Sequence, residues 1–193
     1  MKSLPKMVLA ALFTGLMVAG ALVTIPFPGV PLVIVNAFPW LAGLLLGPLW
    51  AAISTGLYLL LGAFGLPVFA KGTAGIGTLL GNTGGFLLGY LLSALVVGLL
   101  RDPEAKSVLR TSVAVIAGLV TVYLAGIPWL AFVAYKGLSG FEPAHLTQAF
   151  LWGTGPATFP LLFVLGDVVK AVGVVVVAGV LTRLPGVQPL LKK

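Results

Sequence analysis

Asp167 and Lys170 stand three residues apart in an otherwise charge-free run from Pro160 to Val180. On a helix, residues i and i+3 share a face, so a carboxylate and an ammonium look into one cavity from adjacent turns. Together they offer a hydrogen-bond acceptor and a cationic donor to whatever lies between them. An ionisable side chain at bilayer depth costs about 2.5–3.5 kcal/mol on insertion scales, so two of them call for a compensating role. Binding a polar solute is one such role. A structural ion pair that fixes helix rotation in a bundle is the other.

The elements that must position the pair are apolar helices. The chain has 193 residues, 60% hydrophobic and 8% charged, against about 25% charged in ordinary soluble domains. Too few polar side chains exist to cover a soluble fold, which leaves an integral membrane protein. The apolar stretches are continuous and rich in Leu, Val and Ala, whereas β-barrel strands alternate over segments of about 10 residues, so the fold class is an all-α bundle. Residues 1–193 read as a single transmembrane domain. With no cysteine, disulfides and thiolate chemistry are excluded. The net charge of +7 comes from basic residues at segment ends, which reads as a topology signal and not as a nucleic-acid face.

Six membrane segments are predicted, at Met7–Ile25, Leu32–Leu46, Leu49–Phe64, Thr83–Leu100, Val108–Ala134 and Pro160–Leu181. The first is a retained helix, since its apolar run is long for a cleavable signal. The second and third are short, joined by Gly47-Pro48, and read as tilted hairpin partners. With the N-terminus inside, the inner side holds Lys2, Lys6, Arg101, Lys106, Arg110, Arg183, Lys192 and Lys193, and the outer side only Lys71 and Lys136. This asymmetry places both termini in the cytoplasm.

Two long connections then lie outside. Gly65–Asn82 is too apolar for a free loop and too Gly-rich for a stable helix. A re-entrant wall or lid at the mouth of the bundle is predicted, because non-helical backbone at membrane depth must line a cavity or be buried by protein; a hydrophobic interfacial loop is the alternative. Tyr135–Phe159 carries Glu142, Pro143 and His145 and reads as containing a short helix on the outer surface. His145 is the one histidine, and a lone histidine in a loop builds no metal site.

The inventory for catalysis is thin: there is no His-Glu-x-x-His, no Gly-x-Ser-x-Gly and no phosphate-loop order around Lys71-Gly72-Thr73. No catalytic residue, metal site or cofactor is expected. Ala11, Gly15 and Ala19, spaced by four, flatten one stripe of the first helix for close approach of another helix, either inside the bundle or on a partner. Asn82 and Thr83 either cap the next helix or offer polar groups beside Asp167. Tyr58, Tyr90, Trp40, Trp129 and Trp152 are belt residues at the interface or walls of an apolar pocket, with the belt as the default for most.

Several motifs, in order and spacing, resemble the BioY family, the biotin-binding S component of energy-coupling-factor (ECF) vitamin transporters. They are Ile25-Pro26-Phe27-Pro28-Gly29-Val30-Pro31, Leu41–Pro48, Gly62–Ala70, Thr83–Tyr90 and Gly166-Asp167-Val168-Val169-Lys170-Ala171. The resemblance covers most of the chain. It implies a six-helix substrate-binding domain in a prokaryotic cell membrane, without catalysis, that captures biotin beneath the first outer loop. Asp167 and Lys170 then belong to the ligand pocket, with Asn82, Thr83 and Tyr90 as further ligand-binding candidates. It also implies that the Ala11, Gly15, Ala19 stripe docks onto a transmembrane coupling protein (the T component) carrying two ATPase subunits. The chain departs from the family pattern at Asn82, where a Pro is expected, at Asn36-Ala37 in place of Gln-Thr, at Leu165 in place of Pro, and at Lys71 in place of Gly.

Overall fold

Gly47, with φ at 84°, turns the chain sharply between two helices that pack side by side. A β-carbon is disfavoured at that angle. In the computed structural model, which describes residues 4–25, 32–102, 107–134 and 160–184, the helices are α1 (Leu4–Leu22), α2 (Ala37–Leu46), α3 (Pro48–Ala63), α4 (Ile76–Leu80), α5 (Gly84–Leu100), α6 (Val108–Ala134) and α7 (Pro160–Leu181). A two-residue antiparallel ladder joins β1 (Thr24–Ile25) to β2 (Leu32–Val33), and a 3-10 turn spans Ala70–Gly72. The all-helical class is as expected.

The core sits around α2. Its Pro39, Trp40, Ala42, Gly43, Leu44, Leu45 and Leu46 are all buried, and α1, α3, α5 and α7 pack around it. Ten residues span about 15 Å, half the hydrocarbon thickness of about 30 Å, so α2 works as a central strut. Its last carbonyls are met by Arg101, whose Nη1 donates to Leu45 O at 3.1 Å and more weakly to Leu44 O at 3.4 Å. Burial lowers the Arg101 pKa from its ordinary value, but a guanidinium stays charged in proteins.

Around this strut, α1 buries Ala10, Phe13, Thr14, Met17 and Ala21, the helical spacing of one face. The Thr14 hydroxyl crosses to the Ser54 carbonyl of α3 at 2.9 Å. α1, α6 and α7 are long and apolar enough to cross a membrane, and their outward faces carry Val8, Leu12, Val120, Leu124, Val169 and Val172.

Two expectations change. The second segment becomes helical only at Ala37, because Leu32 and Val33 pair with Ile25 and Thr24, and a turn closed by Ala37 N–H on Ile34 O and Phe38 N–H on Val35 O precedes the helix. Gly65–Asn82 does contain a helix, the short α4. The segment is pinned to the bundle by the Phe69 ring, which fills the space over Gly62 where any side chain would collide with it, and by Gly75 N–H donating to Gly62 O at 2.7 Å. Lys71, standing where the family pattern has Gly, adopts φ 60°, the left-handed region that costs a side-chain-bearing residue about 1–2 kcal/mol. The predicted surface helix of Tyr135–Phe159, with His145 and Trp152, lies outside the described residues.

Candidate binding site

Asp167 and Lys170 meet in the structure, joined by Asn36 and Tyr123, which the sequence did not mark as site residues. Asp167 is 7% exposed and Asn36 3%. Lys170 Nζ contacts Asp167 Oδ1 directly, as the i, i+3 spacing on α7 requires. The Asn36 Nδ2–H donates to the same Oδ1 at 2.8 Å, and the Tyr123 hydroxyl donates to Oδ2 at 2.8 Å. Lys170 also donates to Asn36 Oδ1 at 3.0 Å and to the Val33 carbonyl at 2.9 Å. The site is thus a neutral clasp of one carboxylate and one ammonium, each satisfied, at the junction of β2, α2, α6 and α7.

Each element has a local reason for its place. Asn36 precedes α2 at the N-cap position but makes no capping bond. The Ala37 and Phe38 N–H groups are already bonded to Ile34 and Val35 carbonyls, and Pro39 has no N–H. An Asn side chain normally caps N2 or N3; here nothing is left to cap, and the amide turns to α7. Tyr123 is steadied by an edge-to-face contact with Phe86, ring centroids 6.4 Å apart.

Further aromatic side chains fill the interior of the bundle. Tyr90 is buried. Tyr58 is 0% exposed and packs edge-to-face on Phe69 at 5.5 Å; among the described residues its hydroxyl has no hydrogen-bond partner, nor has the buried Trp40 indole nitrogen. The default belt placement therefore fails for Trp40, Tyr58 and Tyr90, which face the interior because α2, α3 and α5 are packed on several sides. Trp129 is half-buried and donates Nε1–H to Gly81 O at 2.9 Å, tying α6 to the start of α5.

Of the remaining sequence candidates, Thr83 takes the N-cap position of α5 without a side-chain cap bond, half-buried. Asn82 is exposed and has no hydrogen-bond partner among the described residues. Ala11, Gly15 and Ala19 are exposed along α1, and a β-carbon added at Gly15 would meet nothing within 4 Å. Asn36 and Tyr123 were missed as site residues. The signal available for Asn36 was a polar residue placed just before an apolar helix whose third residue is Pro; Tyr123 carried no distinguishing pattern within α6.

Chemically, the clasp offers a carboxylate acceptor and an ammonium donor side by side in an apolar surround, the equipment for gripping a neutral solute with adjacent N–H and C=O groups. Among the described residues no group of three His, Cys, Asp or Glu side chains gathers to hold a metal. Fold and site together define a helical membrane protein with a buried polar cluster among its helices. The BioY family model matches residues 1–186, and the chain belongs to that family.

Relatives agree along most of their length. The chain is 36% identical over 151 residues to the biotin transporter BioY of Thermotoga maritima, covering 76% of this chain and 85% of the relative. It is 36% identical over 171 residues to the probable biotin transporter BioY of Pyrococcus horikoshii, covering 88% and 91%. The fold is similar, with a TM-score of 0.78 and 24% identity over 98% of this chain and 96% of the other, to the crystal structure of an S-component for biotin from an ECF-type ABC transporter.

Proposed function

We infer that this chain captures biotin at the outer face of a prokaryotic cell membrane, as the substrate-specific S component of an ECF-type importer. The observation that carries the reading is the buried Asp167–Lys170 clasp, in a family whose members bear the name biotin transporter. Asp167 accepts an N–H of the ureido ring and Lys170 donates to its carbonyl, two charge-assisted hydrogen bonds to a neutral ring. Tyr90 lines the wall, Asn82 approaches from the outer segment Gly65–Asn82, which acts as a re-entrant lid, and Thr83 approaches from the start of α5.

In this reading the bundle crosses the membrane six times, with both termini cytoplasmic and the shorter helices α2, α3 and α5 tilted inside it. The exposed Ala11, Gly15, Ala19 stripe receives the T component, and two ATPase subunits supply the energy that this chain has no equipment to release.

Calorimetric titration of the purified chain with biotin tests the reading. Saturable binding is expected for the wild type, with a loss of at least about tenfold for Asp167→Asn and Lys170→Ala, one charge-assisted contact each. A folded wild-type protein that shows no saturable biotin binding overturns it. Titration with a precursor that keeps the cyclic urea but lacks the sulfur ring separates biotin from its biosynthetic relatives.

A further inference from the structure

The hydrogen-bond arithmetic of Lys170 leaves no room for a ligand. An ammonium has three donors, and here they meet Asp167 Oδ1, the Val33 carbonyl and Asn36 Oδ1. A ligand carbonyl can reach Lys170 only by replacing one of these. Asp167 shares the helix with Lys170 and cannot leave, and Val33 is held in the β1–β2 ladder. Asn36 is the partner attached by a rotatable side chain.

The Asn36 amide also has a chemical shape of interest. Its N–H meets the carboxylate at 2.8 Å while its oxygen meets the ammonium at 3.0 Å. The orientation is set by charge, because the flipped amide would put N–H against the ammonium and oxygen against the carboxylate. A cyclic urea presents the same edge, one N–H beside one C=O on the same side. Both edges want the same two atoms of the protein.

We propose that the Asn36 carboxamide is an intramolecular stand-in for the ligand's cyclic urea, occupying the seat between Asp167 and Lys170 until the ligand displaces it. The inference rests on the biotin reading above. The stand-in keeps a buried ion pair satisfied while the site is empty, where an unpaired buried charge would be costly. It also weakens binding, because the ligand must first break two hydrogen bonds that the chain makes to itself. Since Asn36 stands in the turn between β2 and α2, displacement of the amide leaves the Val33 carbonyl as the remaining Lys170 contact to this stretch and loosens its link to α7.

Asn36→Ala and Asn36→Ser remove the competitor and leave the Asp167, Lys170 and Tyr123 contacts in place. In the purified full-length chain each variant should bind biotin about tenfold more tightly than the wild type, the scale of a net hydrogen bond released from competition. Each should melt at a lower temperature without biotin and at the wild-type temperature with saturating biotin. A merely structural role for Asn36 would lower both. Unchanged or weaker binding by a folded variant overturns the proposal, because Asn36 then supports the ligand instead of imitating it. The wild type gives a test that needs no variant to fold: the Asn36 side-chain amide resonances should shift on biotin addition, and resonances that stay in place overturn the proposal. Absence of biotin binding by the folded wild type defeats the biotin reading and this inference with it, whereas wild-type binding with no gain in the variants defeats the inference alone.

Discussion

At the scale of single residues, the two accounts of Asp167 and Lys170 make opposite predictions about stability and binding. Removing one member of a buried pair strands the other, at a cost of about 3–5 kcal/mol, whereas replacing both with neutral groups of similar size is often close to neutral. Asp167→Asn and Lys170→Met should therefore each lower the melting temperature, and the double variant should recover most of that loss. If the pair is a ligand seat, the double variant regains its fold but not its biotin titration. Recovery of both would return the pair to a structural role. The hydroxyl of Tyr58 allows a sharper comparison, being buried with no partner among the described residues, while the hydroxyl of Tyr123 bonds a carboxylate. Tyr58→Phe sheds an unsatisfied group and should leave thermal stability unchanged or raise it by about 1–2 kcal/mol, whereas Tyr123→Phe should lose about 1.5–3 kcal/mol. Paired melting curves of the two variants check the order, and a greater loss from Tyr58→Phe would mean that its hydroxyl has a partner in the working protein.

Helices and their connections divide into those that build the seat and those that face outward. α1 does both: Phe13 and Met17 enter the core while Ala11, Gly15 and Ala19 remain open. Because a β-carbon at Gly15 meets nothing within 4 Å among the described residues and the position is exposed, Gly15→Leu should leave melting temperature and biotin affinity as in the wild type. It should nevertheless abolish co-purification with the native membrane partners and reduce uptake by cells, since small residues are what allow close helix approach in lipid. Retained co-purification would sink the docking role of this stripe. The same elements show what the sequence made legible. α6 and α7 begin and end where hydropathy placed them, because long spans with charged or polar flanks leave little choice. The start of α2 was misplaced, since the Thr24–Ile25 ladder that keeps Leu32 and Val33 extended is a nonlocal pairing. Asp167 with Lys170 was readable from local helical spacing, but Asn36 lies 131 residues from Asp167 in sequence, and no local pattern brings the two together. Tyr123 reaches the clasp through the packing of α6 on α7, another relation between elements that no periodicity within α6 encodes.

For the whole molecule, the placement of the seat relative to the membrane decides whether it receives solute from outside. The clasp lies at the middle of α7, within Pro160–Leu181, and is tied to the end of the β1–β2 ladder by the Lys170 bond to the Val33 carbonyl. Basic residues gather elsewhere, with Arg101, Lys106 and Arg110 between α5 and the start of α6. On the proposed topology, in which the positive-inside rule makes that connection cytoplasmic, the seat opens outward. The natural absence of cysteine makes a clean test available, because one introduced thiol is the sole target of a maleimide reagent. Thr73 and Ser107 are both exposed and lie in the segments assigned to opposite sides. In intact cells, a membrane-impermeant maleimide should label the Thr73→Cys chain and spare the Ser107→Cys chain, which should react only after permeabilisation. Saturating biotin should leave the Ser107→Cys pattern unchanged and slow the labelling of Thr73→Cys if the outer segment closes over the ligand. Labelling of Ser107→Cys in intact cells, with Thr73→Cys protected, would invert the topology and place the seat on the cytoplasmic side, where it could not serve capture from outside.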